Sequence, residues 1–466
     1  MVSLWGGFRE YGFSAYAAKE ALAHSAVGRR LFERTVLARA RRAWREGRWY
    51  DYAAQIAGGA RRLEGRKLSA DLQHEYAMTL AMATADESNS EPCSRIVQAY
   101  LVSPEGRRER HRYMQYGFPY SVAMKIPKEN DVVTRQGNLV VLKASDPRGA
   151  EKGVLYLQYT ESIRPFVAMF DVQRLATHYR LVVEPSWWGY QDVNFLLLAG
   201  IGMDVTVQAQ DEVDFQVVQR LGGKLTALRL GAGDWIDGDV FTPSIDVPKE
   251  FDFVMVANWS PVKRHTVFFD ALRKASLQDS PVALVGYPWE GRTRKTIERL
   301  AQQYGLSNVS IFESVPRTTV ARIVASSRVG VMLTRREGAN RGIYECFFCD
   351  VPVVLYRENR GVNKAHINEQ TGYLASDSEL PDVLRMALDG EQKREPRSWA
   401  LRNTGYANAW HALNECLRES ALSRGEPYER PIARIFSTPG AAYVSEDDRV
   451  RLLPEYERLV SCLRPA

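Results

Sequence analysis

Long apolar runs are missing from this chain. The longest, from Phe195 to Met203, falls far short of the ~20 residues that a membrane-spanning helix needs. The opening residues, Met1-Val2-Ser3-Leu4-Trp5-Gly6, lack the charged and apolar regions of a secretory signal, so a cytoplasmic protein is expected. Cysteine is scarce, with five in 466 residues and no regular spacing, which excludes a disulfide framework. Cys346 and Cys349 form a Cys-x2-Cys, but no second pair follows, and both sit in an apolar, helix-type stretch rather than a metal-binding knuckle. A strong excess of one charge is also absent: 62 basic against 56 acidic residues leave +6, and no nucleic-acid partner is expected.

What is present is the composition of a soluble globular protein, 45% apolar and 25% charged. The length is too great for one core and implies several folding units. From about Ser14 to Leu101 the pattern is helical, rich in Ala, Leu and Arg, with breaks at Gly58-Gly59 and near Ser88-Asn89-Ser90. Within it, Val27 to Tyr50 interleaves Arg29, Arg30, Arg34, Arg39, Arg41, Arg42, Arg45 and Arg48 with Leu31, Phe32, Val36, Leu37 and Trp44. Such a basic amphipathic helix suits an anionic membrane surface or a polyanionic acceptor, and equally a solvated helix face. No fixed repeat period accompanies it.

Between Arg110 and Lys143 the pattern becomes alternating and β-branched, with strands expected at Tyr120–Ile126 and Leu139–Leu142 and a hairpin across Arg135-Gln136-Gly137-Asn138. Asp146-Pro147-Arg148-Gly149 reads as a linker. Strands at Val154–Leu157, Leu181–Val183, Val205–Val207 and Leu225–Leu228 then alternate with helical segments, which predicts a compact parallel sheet. A second alternation starts at Phe253–Ala257 and continues through Val282–Val285, Val309–Phe312 and Val329–Leu333.

One stretch of this second alternation concentrates the chemistry. Glu337-Gly338-Ala339-Asn340-Arg341-Gly342-Ile343-Tyr344-Glu345 leads through an apolar helix to Pro352-Val353-Val354. A strand, a Gly-containing loop, a helix and a strand make a βαβ unit whose helix N-terminus offers unpaired N–H groups to an anion. With the helix starting near Asn340, Glu345 lies about one and a half turns inside it and Glu337 in the loop before it.

This spacing, with Gly338, Cys349 and Pro352-Val353-Val354 in step, resembles the donor half of retaining group 1 glycosyltransferases of the GT-B fold. The resemblance continues at Phe241-Thr242-Pro243, at Asn258-Trp259-Ser260-Pro261-Val262-Lys263, at Gly286 and at Glu369-x-Thr371-Gly372, and it is absent before Arg110. It implies an α/β protein of two Rossmann-like domains facing a cleft, with an extra N-terminal helical and β extension. The corresponding division is 1–105 helical extension, 106–243 acceptor-side α/β domain, 244–385 donor-binding domain and 386–466 C-terminal helices and tail.

By the same resemblance the donor is a nucleotide-diphosphate sugar and no further cofactor is needed. Glu337 and Lys263 are the catalytic candidates, Lys263 at the diphosphate and Glu337 at the sugar. Glu345 accepts the ribose hydroxyls, while Gly338, Ala339, Asn340 and Arg341 offer N–H groups to sugar and phosphate, with Gly286 and Pro316 nearby. The family usually has Arg where this chain has Asn258; Arg264 or Arg341 are candidates to replace it. A diphosphate needs such charge when it leaves water. Asp237-Gly238-Asp239 is an Asp-x-Asp, yet it falls in the interdomain link, so no metal is expected. Trp187, Trp188 and Tyr190 follow a first-domain strand, where they suit stacking on an acceptor sugar or packing of their own loop.

The implied activity is retaining sugar transfer to an unidentified acceptor, a glycan, lipid-linked glycan or protein, by an enzyme that is cytoplasmic or peripheral at the inner membrane face. The competing reading is a GT-B scaffold that has lost catalysis and serves as a binding protein, for which Asn258 is the first sign. No cofactor-lysine or phosphate signature points to a GT-B epimerase or phosphorylase.

Overall fold

The computed structural model describes residues 25–63, 67–83, 93–116, 138–146, 149, 151–243, 248–338, 340–390, 394–437 and 440–464. The strand expected at Tyr120–Ile126, most of the hairpin ending at Asn138, and Ala339 lie outside them.

Five helices come first: α1 (Ala26–Arg45), α2 (Trp49–Arg62), α3 (Ala70–Ala83), α4 (Arg95–Val102) and α5 (Pro104–Tyr116). Ser25 caps α1 by accepting the Gly28 N–H at 2.9 Å. Inward residues of α1 and α2, among them Val36, Leu37, Ala53 and Ile56, share one apolar core with Leu155, Phe166 and Leu197 of the sheet domain that follows. Ser94 N–H donates to the Gly200 carbonyl at 2.9 Å and Tyr100 O–H to the Arg164 carbonyl at 3.0 Å. These helices are therefore built onto the first sheet.

That sheet has the order β1-β2-β3-β4-β5, from β1 (Leu139–Lys143), β2 (Gly153–Gln158), β3 (Tyr179–Glu184), β4 (Val205–Gln208) and β5 (Leu225–Leu228). Helices α6 (Ile163–Met169), α7 (Val172–His178), α8 (Val193–Gly200) and α9 (Glu212–Leu221) connect the parallel members β2 to β5. Every residue of β2 and β3 is buried, as a parallel sheet covered on both faces requires. β1 pairs antiparallel with β2 in the register Leu139↔Leu157, and Gly149 N–H donates to the Asp146 carbonyl at 2.9 Å. The reading of Asp146 to Gly149 as a linker falls partly on Pro147 and Arg148, which lie outside the described residues.

A link of 3-10 type, Ala232–Trp235, leads out of the first sheet. Trp235 is fully buried, edge-on to Tyr156 at 6.0 Å, and its indole N–H donates to Gln208 Oε1 at 2.9 Å. The second sheet is entirely parallel with the order β11-β10-β9-β6-β7-β8. It is formed by β6 (Phe251–Val256), β7 (Val282–Gly286), β8 (Val309–Glu313), β9 (Ser327–Met332), β10 (Val353–Tyr356) and β11 (Gly372–Ala375). Between and after them run α10 (His265–Lys274), α11 (Arg294–Gln303), α12 (Arg317–Ala325), α13 (Arg341–Phe348) and α14 (Leu380–Asp389). The chain proceeds outward on one side of β6 through β7 and β8, then returns to β9 on its other side. The order reverses between β6 and β9, and a crevice opens beyond the C-terminal ends of those two strands.

After α15 (Pro396–Asn403) the chain passes back to the first domain, where α16 (Tyr406–Leu422) packs Ala409, Leu413 and Leu417 against Val140, Val182 and Trp235. At this passage Tyr406 N–H donates to the Ile236 carbonyl at 3.1 Å, and Thr404 O–H to Asp234 at 2.9 Å. The terminal residues form a hairpin, β12 (Ile435–Ser437) with β13 (Ala441–Tyr443), and α17 (Glu446–Val460). Val141 N–H donates to Tyr456 Oη at 3.0 Å, which fastens α17 to the first sheet.

Candidate active site

Two loops meet at the crevice, one after β6 and one after β9. In the first, Asn258 Oδ1 accepts the Ser260 N–H at 3.2 Å, so its side chain closes its own turn. Lys263 follows on a short 3-10 turn, and its Nζ lies 2.5 Å from Glu337 Oε1, with both side chains mostly buried. The second Glu337 oxygen is buried without a hydrogen-bond partner. The cation and carboxylate singled out from the sequence thus face one another across the reversal point.

Asn340 caps α13, its Oδ1 accepting the Gly342 N–H at 2.9 Å. The helix N-terminus therefore points into the crevice from the β9 side. Arg341 is its first residue and Glu345 its fifth. Burial pushes the Glu345 carboxyl above its ordinary range, against the pull of the Arg317 and Arg341 guanidiniums. Among the described residues no hydrogen-bond donor reaches that carboxylate. Arg317, absent from the sequence-derived candidates, opens α12 directly after Pro316, and one buried nitrogen of its guanidinium has no hydrogen-bond partner. The signal was available, since a basic residue after the Val-Pro step falls on the first position of the next helix.

Arg264 is turned elsewhere. It holds a left-handed backbone at φ +62, donates to the Leu333 carbonyl at 3.1 Å and grips both oxygens of Asp377 at 2.6 Å. Arg317 and Arg341 are the guanidiniums beside Glu345. Gly286 ends β7, where an added Cβ would lie 2.1 Å from the Ala257 carbonyl oxygen, so its role is to let β6 and Trp259 approach. Asp237 Oδ1 accepts the Asp239 N–H at 3.0 Å within the link, a turn of its own. Among the described residues no three His, Cys, Asp or Glu side chains converge as a metal site.

The first domain closes the crevice from the other side. Glu184, at the end of β3, is 1% exposed, with Arg341 at 4.0 Å and the Gln158 amide at 3.2 Å. Burial raises its carboxyl and Arg341 opposes that. The loop after it carries the three aromatics. Trp187 is 43% exposed, but Trp188 is 7% exposed and Tyr190 is 6%. Tyr190 stacks on Phe195 at 4.1 Å and donates its O–H to the Gln208 carbonyl at 2.9 Å, so of the three only Trp187 presents a free ring face. The Gly338 backbone rests on this loop: a Cβ there would fall 2.0 Å from the Ser186 carbonyl carbon. Arg360 adds a two-nitrogen grip on Asp211, at 2.8 and 3.0 Å.

Two parallel-sheet domains that face each other across a crevice, with a C-terminal helix returned to the first, define a GT-B protein. Residues 242–398 match the family model of glycosyl transferases group 1. That match covers the second domain and does not extend over the first.

Solved structures similar to the chain include a sucrose-phosphate synthase from Thermosynechococcus elongatus, at 17% identity over 58% of this chain and 74% of that one, with a TM-score of 0.47. Anabaena HepE in complex with UDP and glucose is 16% identical over 56% and 77%, with a TM-score of 0.45. Staphylococcus aureus TarM, as a mutant in complex with fondaparinux, alpha-GlcNAc-glycerol and UDP, is 12% identical over 57% and 54%, with a TM-score of 0.44. No curated protein sequence matches the chain.

Proposed function

We propose that this protein transfers a sugar from a nucleoside-diphosphate sugar to a glycan or another cell-envelope acceptor, with retention of anomeric configuration. The observation that carries the reading is the convergence, at the reversal point of the second sheet, of Lys263, Glu337 and the capped α13 N-terminus with Arg341. In this reading the diphosphate takes the charge of Lys263 and the N–H groups of the helix start. Glu345 accepts the ribose hydroxyls and Glu337 orients the sugar. As the bond from the anomeric carbon to the phosphate oxygen breaks, the acceptor oxygen attacks from the same side and the departing phosphate takes its proton. Stabilisation of that departing charge is the main task left to the protein.

Release of sugar from a panel of nucleotide sugars, in water and then with candidate acceptors, tests this. Activity is expected to survive excess EDTA, because the charge on the diphosphate is met by side chains and N–H groups. Complete loss that manganese restores would assign the task to a metal, with Asp237 and Asp239 the first residues to re-examine. A second reading, a scaffold that binds without catalysis, is favoured by the turn that occupies Asn258 where the family has a phosphate-binding Arg. Nucleotide affinity without cleavage of any donor would select it.

The acceptor side includes a membrane in this proposal. No helix among the described residues is long and apolar enough to cross one. On α1, however, Val27 and Leu31 are 78% and 64% exposed, near the exposed Arg30 and Arg34. A basic face with apolar side chains suits an anionic cytoplasmic leaflet. Sedimentation with anionic vesicles should carry the protein down and neutral vesicles should not; equal behaviour with both removes this part.

A further inference from the structure

We propose that Arg61, in the helical segment before the first sheet, is a positioning residue for the Glu337 loop, acting through Trp188 and Arg336. The inference deepens the sugar-transfer reading and rests on it. Arg61 is the penultimate residue of α2 and only 22% exposed. Its Nη1 lies 2.8 Å from Asp192, the residue that caps α8, and its guanidinium lies 4.9 Å from the centre of the Trp188 ring. The contact is shaped by Gly189, at φ +77, where a Cβ would come within 3.0 Å of Arg61 Cγ and Nε; glycine provides both the backbone conformation and the room.

The same indole meets a second guanidinium. Arg336, immediately before Glu337, lies 4.3 Å from the Trp188 ring centre. Trp188 Cβ is also 3.3 Å from where a side chain on Gly361 would begin, and that glycine, at φ +100, has room for none because Glu337 O stands 1.4 Å from the same point. Glu337 N–H donates to the Arg360 carbonyl at 2.8 Å. Trp188 is thus gripped by a cation from the helical segment and by one from the loop that carries the candidate catalytic carboxylate. An indole face attracts a guanidinium, and here the ring itself is buried while Arg61 is partly buried and Arg336 exposed. Moving the ring moves the footing of Arg336, and with it the backbone of Glu337. The helical segment, outside the matched family region, thereby gains a direct mechanical line to the reaction centre.

The test uses the full chain with Arg61→Ala, Arg336→Ala, the double variant and Arg61→Lys. Amide exchange in the Thr334–Gly338 segment should accelerate in Arg61→Ala, because Arg61 is tied to that segment through the Trp188 ring. Turnover should fall by about fivefold with little change in donor KM, and Arg61→Lys, which keeps a cation at the ring, should recover most of it. The double variant should lose no more than the worse single one, because both cut the same line. Unaltered exchange in that segment, or independent and additive losses, overturns the proposal. A lower Tm with exchange and turnover untouched assigns Arg61 to the fold alone and also overturns it. If the parent protein neither binds nor cleaves a nucleotide sugar, the functional reading fails, and the exchange measurement still decides the positioning role.

Discussion

Lys263→Ala is expected to lose on the order of 100- to 1,000-fold in turnover, the range seen when one electrostatic stabiliser of a developing charge is removed. The leaving diphosphate gains negative charge as the glycosidic bond breaks, so a cation beside it favours the transition state over the bound donor. The loss should therefore fall mainly on kcat, with a smaller loss in donor affinity. The family's usual partner cation is missing, since Asn258 closes its own turn and Arg264 is held by Asp377. Asn258→Arg should accordingly be tolerated or raise activity. Removing Lys263 also strands Glu337, whose second oxygen already lacks a hydrogen bond, so the variant is to be compared with Lys263→Ala/Glu337→Gln, which removes the stranded charge. If Lys263→Ala turns over nearly as fast as the parent, the diphosphate is held elsewhere, and Arg341 and Arg317 become the positions to test.

Glu345→Ala should weaken nucleotide binding, while Glu337→Ala should chiefly reduce turnover. The Glu345 side chain is half-buried within the electrostatic reach of Arg317 and Arg341 and meets no donor among the described residues, which leaves it free to accept ribose hydroxyls. Hydrogen bonds to a charged group contribute about 1.5–3 kcal/mol, so affinity should fall by roughly 10- to 150-fold. Part of any change could instead come from Arg317 losing its counter-charge. Glu345→Gln keeps the shape and an acceptor oxygen, and Tm measured alongside affinity separates the two effects. Normal nucleotide affinity in Glu345→Ala would end the assignment.

Much of the second sheet was legible because runs such as Val282–Val285 in β7 and Val353–Leu355 in β10 have to be apolar on both faces, whereas β11, Gly372-Tyr373-Leu374-Ala375, carries no such run. Asn340 announced the start of α13 through its capping side chain. The positions that went unread depend on partners distant in sequence. Leu139 to Lys143 reads from sequence as part of an added β segment, since nothing local states that its neighbour is β2. For Trp188 the sequence leaves stacking on a sugar and packing of its loop equally open, because its covering residues, Arg61 and Arg336, come from two other parts of the chain. Arg264 falls in step with the phosphate-binding segment, but its guanidinium is paired with Asp377, 113 residues away in sequence. Charge in a motif shows what chemistry is on offer, and the fold decides which charges are already spent on each other.

The two passages of the chain between the domains, at Ile236 and at Tyr406, are hydrogen-bonded to each other. They act as a double-stranded hinge pin at one edge of the molecule. Rotation about one peptide stretch alone could swivel a domain in any direction; two stretches fastened side by side leave one easy axis. Any opening of the crevice would turn about that spine, as a book does. In such an opening, contacts far from it, such as Gly338 on Ser186, would part through the widest arc and act as a latch, whereas the buried polar groups near Asp234 would move least. Substitutions at the latch should thus alter how often the book stands open, and substitutions at the spine how straight it opens.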